Sequence, residues 1–438
     1  MTRILVLSRA AVAERMASPG VRAYQVAGGL GRALPDAEIT LAIPAGRDAI
    51  APPAPNVRMQ TWSSNAEATF MAGRHDVAIS RNFPPQFAKL MGKTRLALDG
   101  FTPLYIEWME LSQRDILPKW RRTWMASNRW YLNAQLTLAD FIFCADERQR
   151  DMWIGMMMAL ALVPPDVYVR DPSLRRFIDI VPYGVPSKPL SAQGPVLRGV
   201  VPGIGEGDRI LLWNGGITEW NDVETLLHAM DRLKDSRPEV KLVFMGVGHP
   251  DLAFGMSSGQ SKLAWELSEQ LGLRDRTVFF REGWVPYERI DDYLAEADAS
   301  VCLGYENIES RFAFRTRYVD LFRAGVPLVC TRGDVLAERV AVEPLGLTVP
   351  ERDVDAVVAA IERVLDDEAL RRQCKENHRA IAAELSWDVA VKPLVEFCAS
   401  GESYAMPASR RRLQAYARGG MYFALKKICK SPPLHGGL

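Results

Sequence analysis

GYENIESRFAFRTRYVDLFRAGVPLVCTRGD, residues Gly304 to Asp334, decides how the rest of the chain reads. It begins where an apolar run, Ala299 to Leu303, ends. A charged segment then leads into a helix that Ala324-Gly325 closes, and Val-Pro-Leu-Val-Cys follows as a second buried strand ending in the polar turn Thr331 to Asp334. In an open parallel sheet, ligands lie beyond the carboxyl ends of the strands, where helix amino termini and short loops converge. Two such strand ends occur here in succession. Between them stand the carboxylates Glu306, Glu309 and Asp320, interleaved with Arg311, Arg315 and Arg317. Guanidinium forks suit phosphate oxygens and carboxylates suit sugar hydroxyls, so this mixture points to a sugar diphosphate.

Outward from that stretch, the same strand-then-helix alternation runs in both directions, and 438 residues are enough for two such domains. A hydrophobic content of 48% with 24% charged residues predicts folded rather than disordered chain. The six cysteines are scattered without a C-x-x-C pair, which predicts a reducing cytoplasm and no metal site. The five histidines, His75, His228, His249, His378 and His435, show no ligand spacing either, and His249 reads as a loop residue. MTRILVLSRA reads as a first buried strand rather than a secretion signal, and no apolar run approaches the ~20 residues of a membrane span. After Glu402 there is no acidic residue, whereas Arg410, Arg411, Arg412, Arg418, Lys426, Lys427 and Lys430 follow. A mildly acidic body with a basic tail argues against nucleic-acid binding. It leaves an anionic membrane surface, packing on the body or disorder as readings of the tail.

In the first half, Arg3 to Leu7 predicts a strand, followed by Ala17-Ser18-Pro19-Gly20 and a helix over VRAYQVAGGLGRAL. The Gly28 to Gly31 run lies within that helix and is read as packing, not as a dinucleotide fingerprint. Gly20 and Arg22, at the helix mouth, are the candidates for ligand contact. ITLAIP, VAIS and RLAL predict further parallel strands, and Asp99 follows the last of them as either a helix cap or a ligand of a sugar hydroxyl. Trp120 and Trp124 share a helix face and read as core. Ser187 to Asp208 is the expected linker, after which Arg209 to Trp213 opens a second domain with the loop Asn214-Gly215-Gly216.

These motifs together resemble the retaining family-4 glycosyltransferases of GT-B fold, an uncharacterised bacterial branch of them. The resemblance rests on Gly325-Val326-Pro327, Pro182-Tyr183-Gly184-Val185, Gly283 with Val285-Pro286, and Ser386-Trp387-Asp388, and it is densest from Ile210 to Glu338. It implies two Rossmann-like α/β domains whose parallel sheets face across a cleft. Residues 1–190 would take the acceptor and 200–385 the donor; 386–402 would cross back as a helix, leaving 403–438 as a basic tail. It implies transfer of a sugar from a nucleotide-sugar to a glycan, lipid-linked or small-molecule acceptor with retention, without cofactor or metal. Aligned on Gly325, Asp320 takes the place of the second of two family glutamates, and Phe312 that of the first, so Glu309 serves only if the loop is longer here. Gly216 and Asn221 stand where the family offers an arginine and a lysine to the diphosphate. The expected site is therefore Glu309 and Asp99 as catalytic carboxylates; Gly215, Gly216, Arg315, Thr316, Arg317, Asp320 and Gly333 on the donor; and Gly20 and Arg22 on the acceptor side. A sugar-nucleotide epimerase and a non-catalytic sugar-nucleotide-binding protein remain alternatives, since one fold serves several activities.

Overall fold

The computed structural model describes residues 1–46, 50–246, 258–281 and 283–429. His249, His435 and Lys430 lie outside them. The chain divides into two compact units. The first takes residues 1–13, 18–183 and 387 onward; the second takes 14–17 and 184–386.

In the first unit, β1 (Arg3–Leu7), β2 (Glu38–Pro44), β3 (Val57–Trp62), β4 (Val77–Ser80), β5 (Arg95–Asp99), β6 (Phe141–Cys144) and β7 (Ile178–Ile180) form one sheet in the order β3-β2-β1-β4-β5-β6-β7. In the second, β8 (Arg209–Trp213), β9 (Val240–Phe244), β10 (Val278–Phe280), β11 (Ala299–Cys302), β12 (Leu328–Thr331) and β13 (Gly346–Val349) are ordered β10-β9-β8-β11-β12-β13. Every strand pair is parallel. Runs such as Leu211-Leu212-Trp213 and Phe141-Ile142-Phe143 are apolar at every position because helices cover both sheet faces, which leaves no solvent side to alternate toward. Each sheet reverses its winding once, between β1 and β4 in the first and between β8 and β11 in the second.

Local chemistry fixes the helices beside these reversals. Asp222 caps the helix Val223–Leu233 by accepting from Thr225 N at 3.1 Å. Val223, Leu226, Leu227, Met230 and Leu233 then recur at helical spacing and bury against the second sheet. The helix Thr316–Ala324 stops at Gly325, whose φ of +70° gives the left-handed turn that ends it. Glycines of the helix Ser18–Ala33 serve packing, as expected from sequence: a Cβ on Gly29 would lie 3.0 Å from Val391 of the same unit.

The helix Ala408–Cys429 folds onto the first unit. It packs along the helix Pro118–Leu138, with Tyr422 against Tyr131 and Ser127 Oγ donating to the Tyr422 carbonyl at 3.3 Å. Arg411, one of the tail's basic residues, is buried and donates to the carbonyls of Thr137 at 2.9 Å and Ala139 at 2.6 Å, with Asp140 as its counter-charge. Among the described residues no helix is long and apolar enough to cross a membrane.

Candidate functional site

The loops that leave β8, β11 and β12 are tied to one another at the winding reversal of the second sheet. Asp222 N donates to the Leu303 carbonyl at 3.0 Å, and Gly304 N donates to Thr331 Oγ1 at 3.1 Å. Asn214, buried just past β8, donates from its amide to the Arg317 carbonyl at 2.7 Å. Arg317 returns the tie: Nη2 donates to the Gly216 carbonyl at 2.7 Å, and the guanidinium lies 5.2 Å from the Trp213 ring centre. The amino end of the helix Thr316–Ala324 is thereby held against the Asn214-Gly215-Gly216 turn.

Two features of that junction suit an anion. Arg315 occupies the N-cap position without a side-chain capping bond; its carbonyl takes Tyr318 N at 3.0 Å, and the amides of Thr316 and Arg317 ahead of it have no side-chain cap. Arg317 Nη1 is buried and has no hydrogen-bond partner. A buried guanidinium nitrogen without an acceptor costs free energy that an incoming phosphate oxygen would restore. Gly215, at φ +112°, and Gly333, at φ +115°, adopt backbone open to glycine and strained for other residues, which turns the β8 and β12 loops sharply at this point.

Glu309 and Arg315 take a different place from the one expected. Glu309 is buried in the short helix Ile308–Phe312, and both its oxygens accept from Arg315, at 3.1 and 2.6 Å. Burial draws the Arg315 pKa down, but Glu309 and Asp334 more than reverse this and hold it above its ordinary value. The two side chains pair with one another, each the other's counter-charge. Burial raises the Asp320 carboxyl to about 6, with the charge of Arg323 opposing the rise and that of Asp291 adding to it. Asn221 faces its own loop, accepting from Thr218 N and Thr218 Oγ1 at 2.8 Å each.

In the first unit Asp99 is neither a helix cap nor an open ligand. It accepts from Arg22 Nε at 2.8 Å and Arg22 Nη2 at 3.0 Å, and Arg22 also donates to the carbonyls of Val181 and Pro182. Both side chains are buried, and the Phe101 ring lies 4.3 Å from the guanidinium. Arg22 thus ties β5 to the segment after β7, and Gly20 is buried in the same helix. Sequence reading also missed Asn214 and Trp284. Trp284 lies against Gly216 and Gly246 and donates to the Met16 carbonyl at 3.1 Å, but nothing in its local spacing marks that contact. Among the described residues no three His, Cys, Asp or Glu side chains come together as a metal site.

Residues 200–381 match the family model described as glycosyl transferases group 1. An uncharacterized glycosyltransferase of Methanocaldococcus jannaschii is 26% identical over 195 residues, 44% of this chain and 45% of the relative. The D-inositol 3-phosphate glycosyltransferase of Corynebacterium urealyticum is 27% identical over 199 residues, 44% of this chain and 43% of the relative. The matched stretch therefore spans less than half the length of these curated relatives. Solved structures match over both units: sucrose-phosphate synthase of Thermosynechococcus elongatus at a TM-score of 0.63 and 17% identity, covering 90% of this chain and 97% of that one. The Anabaena protein HepE, solved with UDP-glucose, gives 0.61 at 12% identity, covering 91% and 100%. Residues 200–381 thus match the glycosyl transferases group 1 family, and the chain shares the fold of GT-B glycosyltransferases.

Proposed function

We propose that this protein transfers a glycosyl group from a nucleoside-diphosphate sugar, with the diphosphate held at the amino end of the helix Thr316–Ala324. The observation that carries this is the unpartnered buried Nη1 of Arg317 beside that uncapped helix end, at the sheet's winding reversal. HepE was solved with UDP-glucose, and a nucleotide-sugar is the donor that the same strand ends would take here. Arg317 and the helix amides stabilise the charge that grows on the departing diphosphate, which is where transfer through an oxocarbenium-like transition state needs it. Retention at the anomeric carbon and independence of metal belong to the same reading. With Glu309 closed on Arg315, the donor sugar is held by backbone around Gly215, Gly216 and Gly333, not by that carboxylate.

The test is a transfer or donor-hydrolysis assay with UDP-, GDP-, ADP- and dTDP-sugars, with and without a chelator, following the anomeric configuration of the product by proton NMR. Arg317→Ala is expected to lower kcat/KM by about a hundredfold, the cost of losing one preorganised donor. Turnover equal to that of the parent chain would remove Arg317 from the site. Binding of sugar-nucleotides without turnover would favour the non-catalytic reading, and interconversion of the free sugar-nucleotide the epimerase reading.

A second observation supports peripheral contact with an anionic lipid surface. The outer face of the helix Ala408–Cys429 exposes Leu413, Tyr416, Met421, Phe423 and Ile428, while Arg410, Arg412 and Lys427 share that face and no acidic residue interrupts it. Apolar side chains ringed by cations suit the boundary between headgroups and acyl chains. A lipid-linked acceptor would be met at that surface. Vesicles of anionic lipid should pellet the protein at low salt, and Leu413→Glu with Phe423→Glu should abolish the effect; equal pelleting of the two would dismiss the helix as an anchor.

A further inference from the structure

The segment by which the chain enters the second unit is docked, and the group that docks it also holds the helix Thr316–Ala324. Residues 187–198, the first part of the expected linker, belong to the second unit and form neither helix nor strand. Their amides go instead to carboxylates of one short helix, Ile290–Glu296. Ser191 N donates to Asp291 Oδ2 at 2.9 Å, and Gln193 N to Asp292 Oδ1 at 2.5 Å. Glu296 takes Val196 N and Leu197 N on Oε1, at 2.5 and 2.9 Å, and Arg198 N on Oε2 at 2.7 Å. Ser191, Ala192 and Gln193 are exposed, so at that end charged hydrogen bonds rather than apolar burial hold the chain in place.

Asp291 is shared between two elements. The oxygen that accepts from Ser191 also accepts from Arg323 Nη1 at 3.1 Å, and the other oxygen accepts from Arg323 Nη2. Arg323 stands in the last turn of the helix Thr316–Ala324, whose 9 residues span about 13 Å. A helix that short moves as one rod. Its amino end carries Arg317, tied to the Gly216 carbonyl. The side chains of Arg323 and Asp291 are only 11% and 16% exposed, so the carboxylate depends on the guanidinium for compensation. A movement of the rod that draws Arg323 away leaves Asp291 to turn toward another partner, which slackens its hold on the Ser191 amide. A ligand that fixes the amino end of the rod acts in the opposite sense.

We infer that docking of residues 187–198 is coupled to occupation of the donor site through the Asp291–Arg323 pair. A diphosphate on Arg317 tightens the segment, and release of the segment weakens the diphosphate by the same factor. The part played by the diphosphate rests on the glycosyl-transfer reading; the link between segment and helix does not.

The experiment is hydrogen–deuterium exchange of the full chain read by mass spectrometry, with calorimetric titration of UDP, GDP, ADP and dTDP in parallel. Arg323→Gln should speed exchange at residues 187–198 about tenfold, the loss expected for a charged hydrogen bond, and leave the helix Val354–Asp366 unchanged as a reference. Arg323→Lys, which keeps the charge and loses the fork, should do so less, and it decides the point if Arg323→Gln does not fold. The nucleotide that binds should slow the same amides about fivefold in the parent chain and not in Arg323→Gln. Ser191→Pro, which removes one docking amide from an exposed loop, should weaken that nucleotide by a similar factor. Exchange of the segment unchanged in both Arg323 variants, or speeded only together with the reference helix, would overturn the proposal, as would a bound nucleotide that leaves the segment unchanged. If no nucleotide binds, the donor reading falls, and the Arg323 variants alone decide whether segment and helix are linked.

Discussion

Glu309 and Arg315 neutralise one another, and this changes what their substitution should do. Removing one partner leaves a buried charge without compensation, which costs about 3–5 kcal/mol, whereas replacing both by apolar groups of similar size is nearly neutral. Glu309→Gln should therefore lower stability by that order in urea denaturation, and Glu309→Leu with Arg315→Met should recover most of the loss. A Glu309→Gln protein that keeps full stability and loses only turnover would return Glu309 to the reacting centre. The Arg22–Asp99 pair obeys the same logic in the first unit, where Arg22 also holds two backbone carbonyls. Asp99→Asn is expected to destabilise the fold while leaving the UDP affinity of the second unit unchanged, a split that calorimetry on the refolded variant would read directly.

Among the elements, the helix Glu368–Glu384 carries a titration of its own. His378 is buried, its Nε2 is 2.8 Å from the Leu345 carbonyl, and burial pushes the imidazole down to about 4. An unfolded histidine titrates near 6.5. The folded value is depressed, so the contribution is fully present above pH 6.5 and is lost as pH falls toward 4, amounting to about 3 kcal/mol over that window. Asp334 runs in the opposite sense: burial raises it to about 6, so its contribution is lost as pH rises from about 4 through 6. The comparison of interest is therefore between the parent chain and His378→Gln. Denaturation at pH 7 and pH 4.5 should show a smaller acid loss in the variant; an equal loss would place the acid sensitivity elsewhere. The helix Ala408–Cys429 depends in the same local way on Arg411, and Arg411→Ala, which leaves Asp140 buried without its counter-charge, should cost about 3–5 kcal/mol.

For the molecule as a whole, the alternation of apolar runs with helical periods made the inner strands of both parallel sheets legible, because a strand covered on two faces must be apolar at every position, whereas the edge strand β3, VRMQTW, is half exposed and went unread. The stretch from Gly304 to Asp334 located the strand ends that meet in the second unit for the same reason. Individual roles were less legible. Arg22 finds Asp99 from 77 positions away, and Arg317 finds Gly216 from 101, so spacing along the chain carries no trace of either contact. Glu309 and Arg315, six positions apart, spanned one element boundary too many to be read as a pair. Composition showed the basic tail but not that Arg411 turns inward while Leu413 and Phe423 turn out. All of these contacts bear on a single question, whether the second unit holds a nucleoside diphosphate at Arg317. Calorimetric titration of the full chain with UDP, GDP, ADP and dTDP, in parallel with Arg317→Ala, answers it. Saturable binding of one nucleotide, weakened about tenfold or more in the variant, is the predicted result; binding of none, or equal binding by both proteins, would contradict it.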